Sequence, residues 1–191
     1  MIHISDRKIK DLETQYLQIQ YNEKDNYFYL DNYFPKYKKK EDAFSKLIIL
    51  YKKGDKFAIK YFENIIVNII FDYFWFCDLI VPIPPSSSML DVYSNKIICS
   101  SLNSLNIIKY KQDILKRSMS SAPSHITNKR DIAHILDSVK IINNNHIKDK
   151  KIILFDDIIT TGNTSSIIKN MLISRGACSV IRLFLGRTIN L

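Results

Sequence analysis

The residues with the most chemistry to offer fall together in KIILFDDIITTGNTSSIIKNML, positions 151–172. An apolar run meets two adjacent carboxylates, Asp156 and Asp157. Two more apolar residues follow, then Thr160, Thr161, Gly162, Asn163 and Thr164. Ionised carboxylates only accept hydrogen bonds, so they suit a ligand offering hydroxyl donors in pairs. The apolar spacing beyond Thr164 is helical, and a helix start carries free N–H groups and the positive end of the dipole. Gly162 permits close backbone approach, while the threonine hydroxyls and the Asn163 amide add donors. Such a cup suits a phosphate dianion.

Diol acceptors beside a phosphate cup describe a clamp for ribose 5-phosphate. Asp156 and Asp157 would take the 2′ and 3′ hydroxyls, and Thr160–Thr164 the 5′ phosphate. Other phosphate motifs fail on spacing. No Lys follows Gly162 as a Walker loop requires, and one glycine cannot make GxGxxG. Ile158 stands where a phosphatase-type Asp-x-Asp loop needs its second acid. At a strand end reached by water, both aspartates are expected to stay ionised.

The elements that must position this loop follow from periodicity. Lys151–Phe155 is expected to be a buried strand, and Ser165–Arg175 a helix stopped by Gly176. Cys178–Leu185 is expected to be the last strand. Upstream, Leu79–Ile83 reads as a short buried strand ended by Pro84 and Pro85, with Ser86, Ser87 and Ser88 forming a tight loop. Phe44, Leu47, Ile48 and Tyr51 fall at helical spacing from Glu41. Gly54 and Asp55 stop that helix and start a second, whose stripe runs from Ala58 to Phe74. Residues 90–105 are weakly helical, and Asn106–Tyr110 and Ser138–Ile142 read as short strands. Residues 116–131 read as an exposed loop. The aromatic stretch Asn26–Phe34 fits a strand or a packed loop. Buried strands alternating with helices imply an α/β fold with a parallel sheet covered on both sides. Ligands of such sheets bind beyond the carboxyl ends of the strands, where both punctuated loops lie.

At 191 residues and 46% hydrophobic content, the chain suits one folded domain, 41–191, with an N-terminal extension, 1–40. No apolar run reaches the ~18–20 residues of a membrane span. The opening MIHISDRKIK lacks the apolar core of a leader, so none is expected. Cys77, Cys99 and Cys178 form no CxxC pair and fit a reducing, cytoplasmic setting. The formal charge of +9 rests on 28 basic residues, only six of them Arg, spread along the chain. The dense run Lys36, Lys38, Lys39 and Lys40 beside Tyr33, Phe34 and Tyr37 could grip a nucleic-acid strand or be a solvated turn. A basic surface suits an anionic ligand of either size.

ILFDDIITTGNT resembles the signature of the type I phosphoribosyltransferases, which bind phosphoribosyl pyrophosphate (PRPP). Over roughly residues 40–188 the order of helices, LIVPIP, a basic loop and this motif is similar to the competence-protein F (ComF-like) branch. The resemblance implies a parallel sheet flanked by helices, with a small N-terminal helical and aromatic hood. It implies transfer of a phosphoribosyl group from PRPP to a nitrogenous acceptor, with Mg²⁺ held mainly by ligand oxygens and water and helped by Asp156. Pro84, Pro85, Ser86 and Ser87 would form the pyrophosphate loop. Lys116–Asp131 would be a lid bringing Arg117, Lys129 and Arg130 to the diphosphate. Asp156 and Asp157 would be catalytic only in anchoring the ribose. The chain departs from the pattern in lacking a four-cysteine zinc module and in placing Thr160 where purine-salvage relatives commonly carry an acid. His125 and His134, in or beside the lid, are not assigned a catalytic part. Arg187 could face the site or solvent. The alternative is a non-catalytic sensor of PRPP or ribose phosphate, acting through a protein or nucleic-acid partner. A homodimer fits either.

Overall fold

The computed structural model describes residues 18–35, 42–85, 93–112, 114–117 and 138–189. Lys36–Lys40, Ser86–Ser88, most of the expected lid with His125, Lys129 and Arg130, and His134 lie outside them. The strands are β1 (Gln20–Asn22), β2 (Tyr27–Tyr33), β3 (Leu79–Pro82), β4 (Lys109–Tyr110), β5 (Leu115–Arg117), β6 (Val139–Ile141), β7 (Lys151–Ile159) and β8 (Ser179–Thr188). The helices are α1 (Ala43–Lys52), α2 (Lys56–Tyr73), α3 (Ser94–Ser104) and α4 (Asn163–Ser174). Among the described residues no helix is long and apolar enough to cross a membrane.

Six strands form one sheet in the order β1-β2-β8-β7-β3-β4. Every neighbouring pair is parallel except β1 with β2. The fold is therefore α/β, with a mostly parallel sheet flanked by helices. In β7 side chains alternate between two buried faces, which is why the run is apolar without a break. Ile153 and Phe155 join Leu183 and Leu185 against α1, α2 and α3, through Phe44, Ile48, Phe62, Ile66, Ile98 and Leu102. Ile152 and Leu154 join Val180 against Ile168 and Leu172 of α4.

Local chemistry explains the helix starts. The Asp42 carboxylate accepts from Ser45 N at 2.8 Å and the Asp55 carboxylate from Ala58 N at 3.0 Å, each capping a helix. Gly54, at φ 79°, makes the left-handed exit between α1 and α2.

Four expectations change. Asn106–Tyr110 yields only Lys109–Tyr110 as strand, because Asn106 takes a left-handed φ of 57° at the exit of α3. Leu115–Arg117, at the root of the expected loop, is a strand pairing antiparallel with β6 as a separate ribbon. Of strand or packed loop, Asn26–Phe34 is mostly strand: Gln20–Asn22 and Tyr27–Tyr33 belong to the main sheet, β2 lying parallel to β8, so this part of the N-terminal extension is built into the same layer. Finally, β7 does not stop at Phe155. Its pairing with β3 ends at Pro82–Phe155, but pairing with β8 continues through Asp156, Ile158 and Ile159.

That last asymmetry opens the crevice. Beyond Phe155 the β3 side of β7 has lost its strand neighbour, while the β8 side stays closed. The chain leaves β3 for α3 on one face and leaves β7 for α4 on the other. Where successive connections depart to opposite faces, the strand ends part and leave a cleft.

Candidate functional site

A cavity of about 470 Å³ occupies this cleft. It is lined by Ile83, Pro84 and Pro85 after β3, by Asp156–Ser165 after the core of β7, and by Arg117 from the β5–β6 ribbon. The structure thus brings together Asp156, Asp157, Thr160, Thr161, Gly162, Asn163, Thr164, Pro84, Pro85 and Arg117. Ser86, Ser87, Lys129 and Arg130 fall outside the described residues. Arg187 is directed elsewhere: it stacks on the Tyr29 ring at 5.6 Å and donates to its hydroxyl at 3.3 Å.

The loop after β7 turns on Gly162, whose φ of 76° is left-handed, and α4 begins at the next residue. A methyl group at Gly162 would stand 3.2 Å from Ile159 Cδ1, so both conformation and space favour glycine. Among the described residues no side chain caps α4. The Ser165 hydroxyl instead donates back to the Gly162 carbonyl at 2.9 Å. The first turn keeps its N–H groups for the cavity, with Thr160, Thr161 and Asn163 exposed around it.

The two aspartates have unlike surroundings. Asp157 meets Lys52 Nζ at 3.3 Å, from the last turn of α1. Asp156 Oδ1 accepts from Asn95 Nδ2 at 3.0 Å and from the Asp157 backbone N–H at 2.9 Å. Asn95, buried at the start of α3, is itself held by the Tyr51 hydroxyl, which donates to its Oδ1 at 2.7 Å. The Ser94 hydroxyl bonds the Tyr51 carbonyl and ties the same corner. Asp156 lines the cavity, and among the described residues its Oδ2 has no hydrogen-bond partner.

The sequence led to an expectation of two ionised carboxylates. Burial pushes the Asp156 carboxyl up to about 8, and the neighbouring charge of Asp157 adds to this. The two hydrogen bonds to Oδ1 and the more distant Lys52 oppose the shift without cancelling it. The reason is the extension of β7: inside a paired strand, Asp156 is half-buried instead of standing on an open loop.

Arg117 reaches the cavity from the ribbon. One of its terminal nitrogens donates to the Ser138 hydroxyl at 3.4 Å, while its Nε is buried with no partner among the described residues. Burial lowers its pKa, and the attraction of Asp156 acts the other way. An orphaned guanidinium N–H beside a cavity is a donor set waiting for an anion.

Lys52, Asn95, Tyr93 and Phe184 also line the site without having been found in the sequence. Their only signal was position, at the ends of helices or within a strand, and that becomes visible only in three dimensions. Arg182 did carry a signal, as the one charge within the apolar strand CSVIRLFL. Among the described residues, no cluster of three His, Cys, Asp or Glu side chains could hold a metal ion.

No protein-family model matches the chain, and no curated protein matches it. In structure it is similar to known phosphoribosyltransferases. A hypoxanthine phosphoribosyl transferase of Trypanosoma cruzi matches at 16% identity and TM-score 0.43, over 70% of this chain and 67% of that one. An HPRT with alanine in place of an invariant aspartic acid matches at 13% and 0.43, over 78% and 73%. The allosteric regulatory enzyme of purine biosynthesis matches at 20% and 0.40, over 56% of this chain but only 22% of its own length.

Proposed function

We propose that the cavity binds PRPP and that the protein is a phosphoribosyltransferase-like enzyme acting on a nitrogenous acceptor. The observation that carries this is the convergence on one cleft of two adjacent carboxyl groups, a helix start ringed by hydroxyls, and an arginine whose Nε has no partner among the described residues. The three groups match the three polar parts of the ligand. Asp156 and Asp157 take the ribose hydroxyls, Thr160–Thr164 the 5′ phosphate, and Arg117 with Pro84 and Pro85 the diphosphate. The finer likeness to the competence-protein F branch rests on the motif order alone.

Transfer needs no protein nucleophile. The acceptor nitrogen gives its lone pair to C1′ as the C1′–O bond breaks, and pyrophosphate leaves with that electron pair. The acceptor proton passes to an oxygen of the departing pyrophosphate. The transition state resembles an oxocarbenium ion, so the chain's task is to hold both reactants in line and to keep water away. Asp157, pinned by Lys52, and Asp156, pinned by Asn95, hold the ring from one side while C1′ moves. Mg²⁺ would be held mainly by the diphosphate oxygens and water, with Asp156 the protein residue that could add an oxygen once ionised. When bound, it would neutralise charge on the departing pyrophosphate.

Calorimetric titration with PRPP, with and without Mg²⁺, tests binding. Pyrophosphate release with a panel of nitrogenous acceptors tests transfer. The Asp156→Asn, Asp157→Asn double variant should keep its fold and lose PRPP binding; affinity like that of the wild type removes the clamp. Tight binding without release, whatever the acceptor, turns the assignment to the sensor that a +9 chain also fits.

A further inference from the structure

Arg182 lies in the middle of β8, opposite Leu154, and is 5% exposed. Its Nη1 donates to the Ser166 hydroxyl at 2.6 Å and to the Ser165 hydroxyl at 3.3 Å, both in the first turns of α4. Its Nε and Nη2 donate to the Asn26 carbonyl at 3.3 and 3.2 Å. The guanidinium carbon stands 5.7 Å from the Tyr27 ring centroid. Every one of these partners is neutral. Among the described residues no carboxylate comes within ion-pair distance, and Asp25, on the exposed turn before β2, attracts it only from farther off.

Burying a cation without a counter-ion is strongly unfavourable. Here it is buried directly behind the start of α4: a methyl group at Gly162 would lie 3.8 Å from Nη1. The helix end is already positive. Two positive potentials are therefore stacked at one spot, and no described side chain cancels them. A purely structural tie between β8 and the β1–β2 turn would be served equally by a neutral donor. The stacking has a use if the counter-charge arrives from the cavity side.

We propose that Arg182 is a specificity-determining positioning residue: the fixed charge behind the cup that makes it select a terminal phosphate monoester in its dianionic form. This rests on the phosphate–sugar assignment of the same cavity. Arg182 does not touch the ligand. It acts through its charge, lowering the cost of gathering two negative charges there, while its bonds to Ser165 and Ser166 only fix where that charge stands.

The test compares wild type, Arg182→Lys and Arg182→Gln by calorimetry with ribose 5-phosphate and, separately, inorganic pyrophosphate, with folding checked by thermal melting. Gln should weaken ribose 5-phosphate by about tenfold or more, since a buried charge acts strongly on an anion nearby. It should leave pyrophosphate nearly unchanged. Lys, which keeps the charge and loses the fork, should retain most of the affinity. Equal loss in Lys and Gln assigns the effect to the fork's hydrogen bonds and overturns the proposal, as does an unaffected Gln variant. A wild type that fails to bind ribose 5-phosphate overturns the cavity assignment itself, and with it this step. Should Gln not fold, phosphorus NMR of the wild-type complex decides. The bound monoester should stay dianionic well below its usual second pKa of about 6, and an unshifted titration overturns the proposal.

Discussion

Replacing Asp156 with Asn should stabilise the protein, and increasingly so as pH rises. An ordinary aspartate ionises near about 3.9, whereas burial in β7 pushes Asp156 up to about 8. Between those values the native state holds a proton that the unfolded chain has released. Stability therefore falls as pH rises through this window, by at most about 1.4 kcal/mol per unit. Over pH 5 to 8 the ceiling is about 4 kcal/mol. The Asp156 carboxyl is only half-buried, and solvent screening removes part of this, so about half of that, ~2 kcal/mol, is the expected loss. Asn cannot ionise, and its side-chain oxygen can still accept from Asn95 Nδ2 and the Asp157 N–H. The variant should thus escape the penalty with its local bonds kept. For a chain of this length ~2 kcal/mol corresponds to about 4–8 °C in Tm. Thermal melts of both proteins at half-unit steps of pH are the assay. The difference in Tm, variant minus wild type, should widen steadily towards pH 8. A difference that stays constant, or narrows, means that Asp156 is ionised in the folded protein, and the burial argument is then wrong.

The same geometry sets the outcome of other perturbations. Gly162→Ala forces a side chain into a left-handed φ and against Ile159, and should cost about 1–2 kcal/mol in denaturant unfolding; an unchanged midpoint would mean that the turn relaxes freely. Arg117→Ala should weaken PRPP by about tenfold, as loss of a charge-assisted donor does, and ribose 5-phosphate much less. Equal losses in parallel titrations would remove Arg117 from the diphosphate end. Leu172→Ala, in the fully buried seam between α4 and the sheet, should cost about 2–5 kcal/mol. Urea unfolding measures it, and a cost near zero would mean that α4 is not packed as described.

The legible parts of the fold were those written in local period. Phe44, Leu47, Ile48 and Tyr51 announced α1, and all four are buried. The pair Gly54 and Asp55 announced a stop and a start, and both act so. LIVPIP and KIILF announced strands that face hydrophobic layers on both sides. The residues meeting at the cavity were legible too, because a run of hydroxyls and glycine between strand and helix keeps its meaning whatever surrounds it. What depended on distant partners was not legible. β2 is a strand of the main sheet because β8, some 150 residues away in sequence, offers it a parallel edge. Leu115–Arg117 is a strand only because Val139–Ile141 returns beside it. Nothing in the local sequence encodes either pairing.

The same distinction explains the aspartates. Read along the chain, DD after an apolar run marks the end of burial, and two equal carboxylates are the natural expectation. Read across the sheet, β3 stops at Pro82 while β8 goes on, so the strand ends on one side only. A half-ended strand gives its last residues both a backbone partner and an open flank. Successive side chains of a strand then meet different neighbours: Asp157 meets a lysine from α1, and Asp156 meets an asparagine from α3. Neighbouring acids whose surroundings differ in charge are thereby set to different tasks. Asp157 is matched to accepting hydrogen bonds under a fixed cation. Asp156, with Oδ1 occupied and Oδ2 open, can present either a proton or a lone pair at the same point. A sugar hydroxyl can answer both, so the clamp keeps its hold as the proton on Asp156 comes and goes. That tolerance needs the two aspartates to be adjacent in sequence and unlike in environment, and the one-sided ending of β7 supplies both conditions.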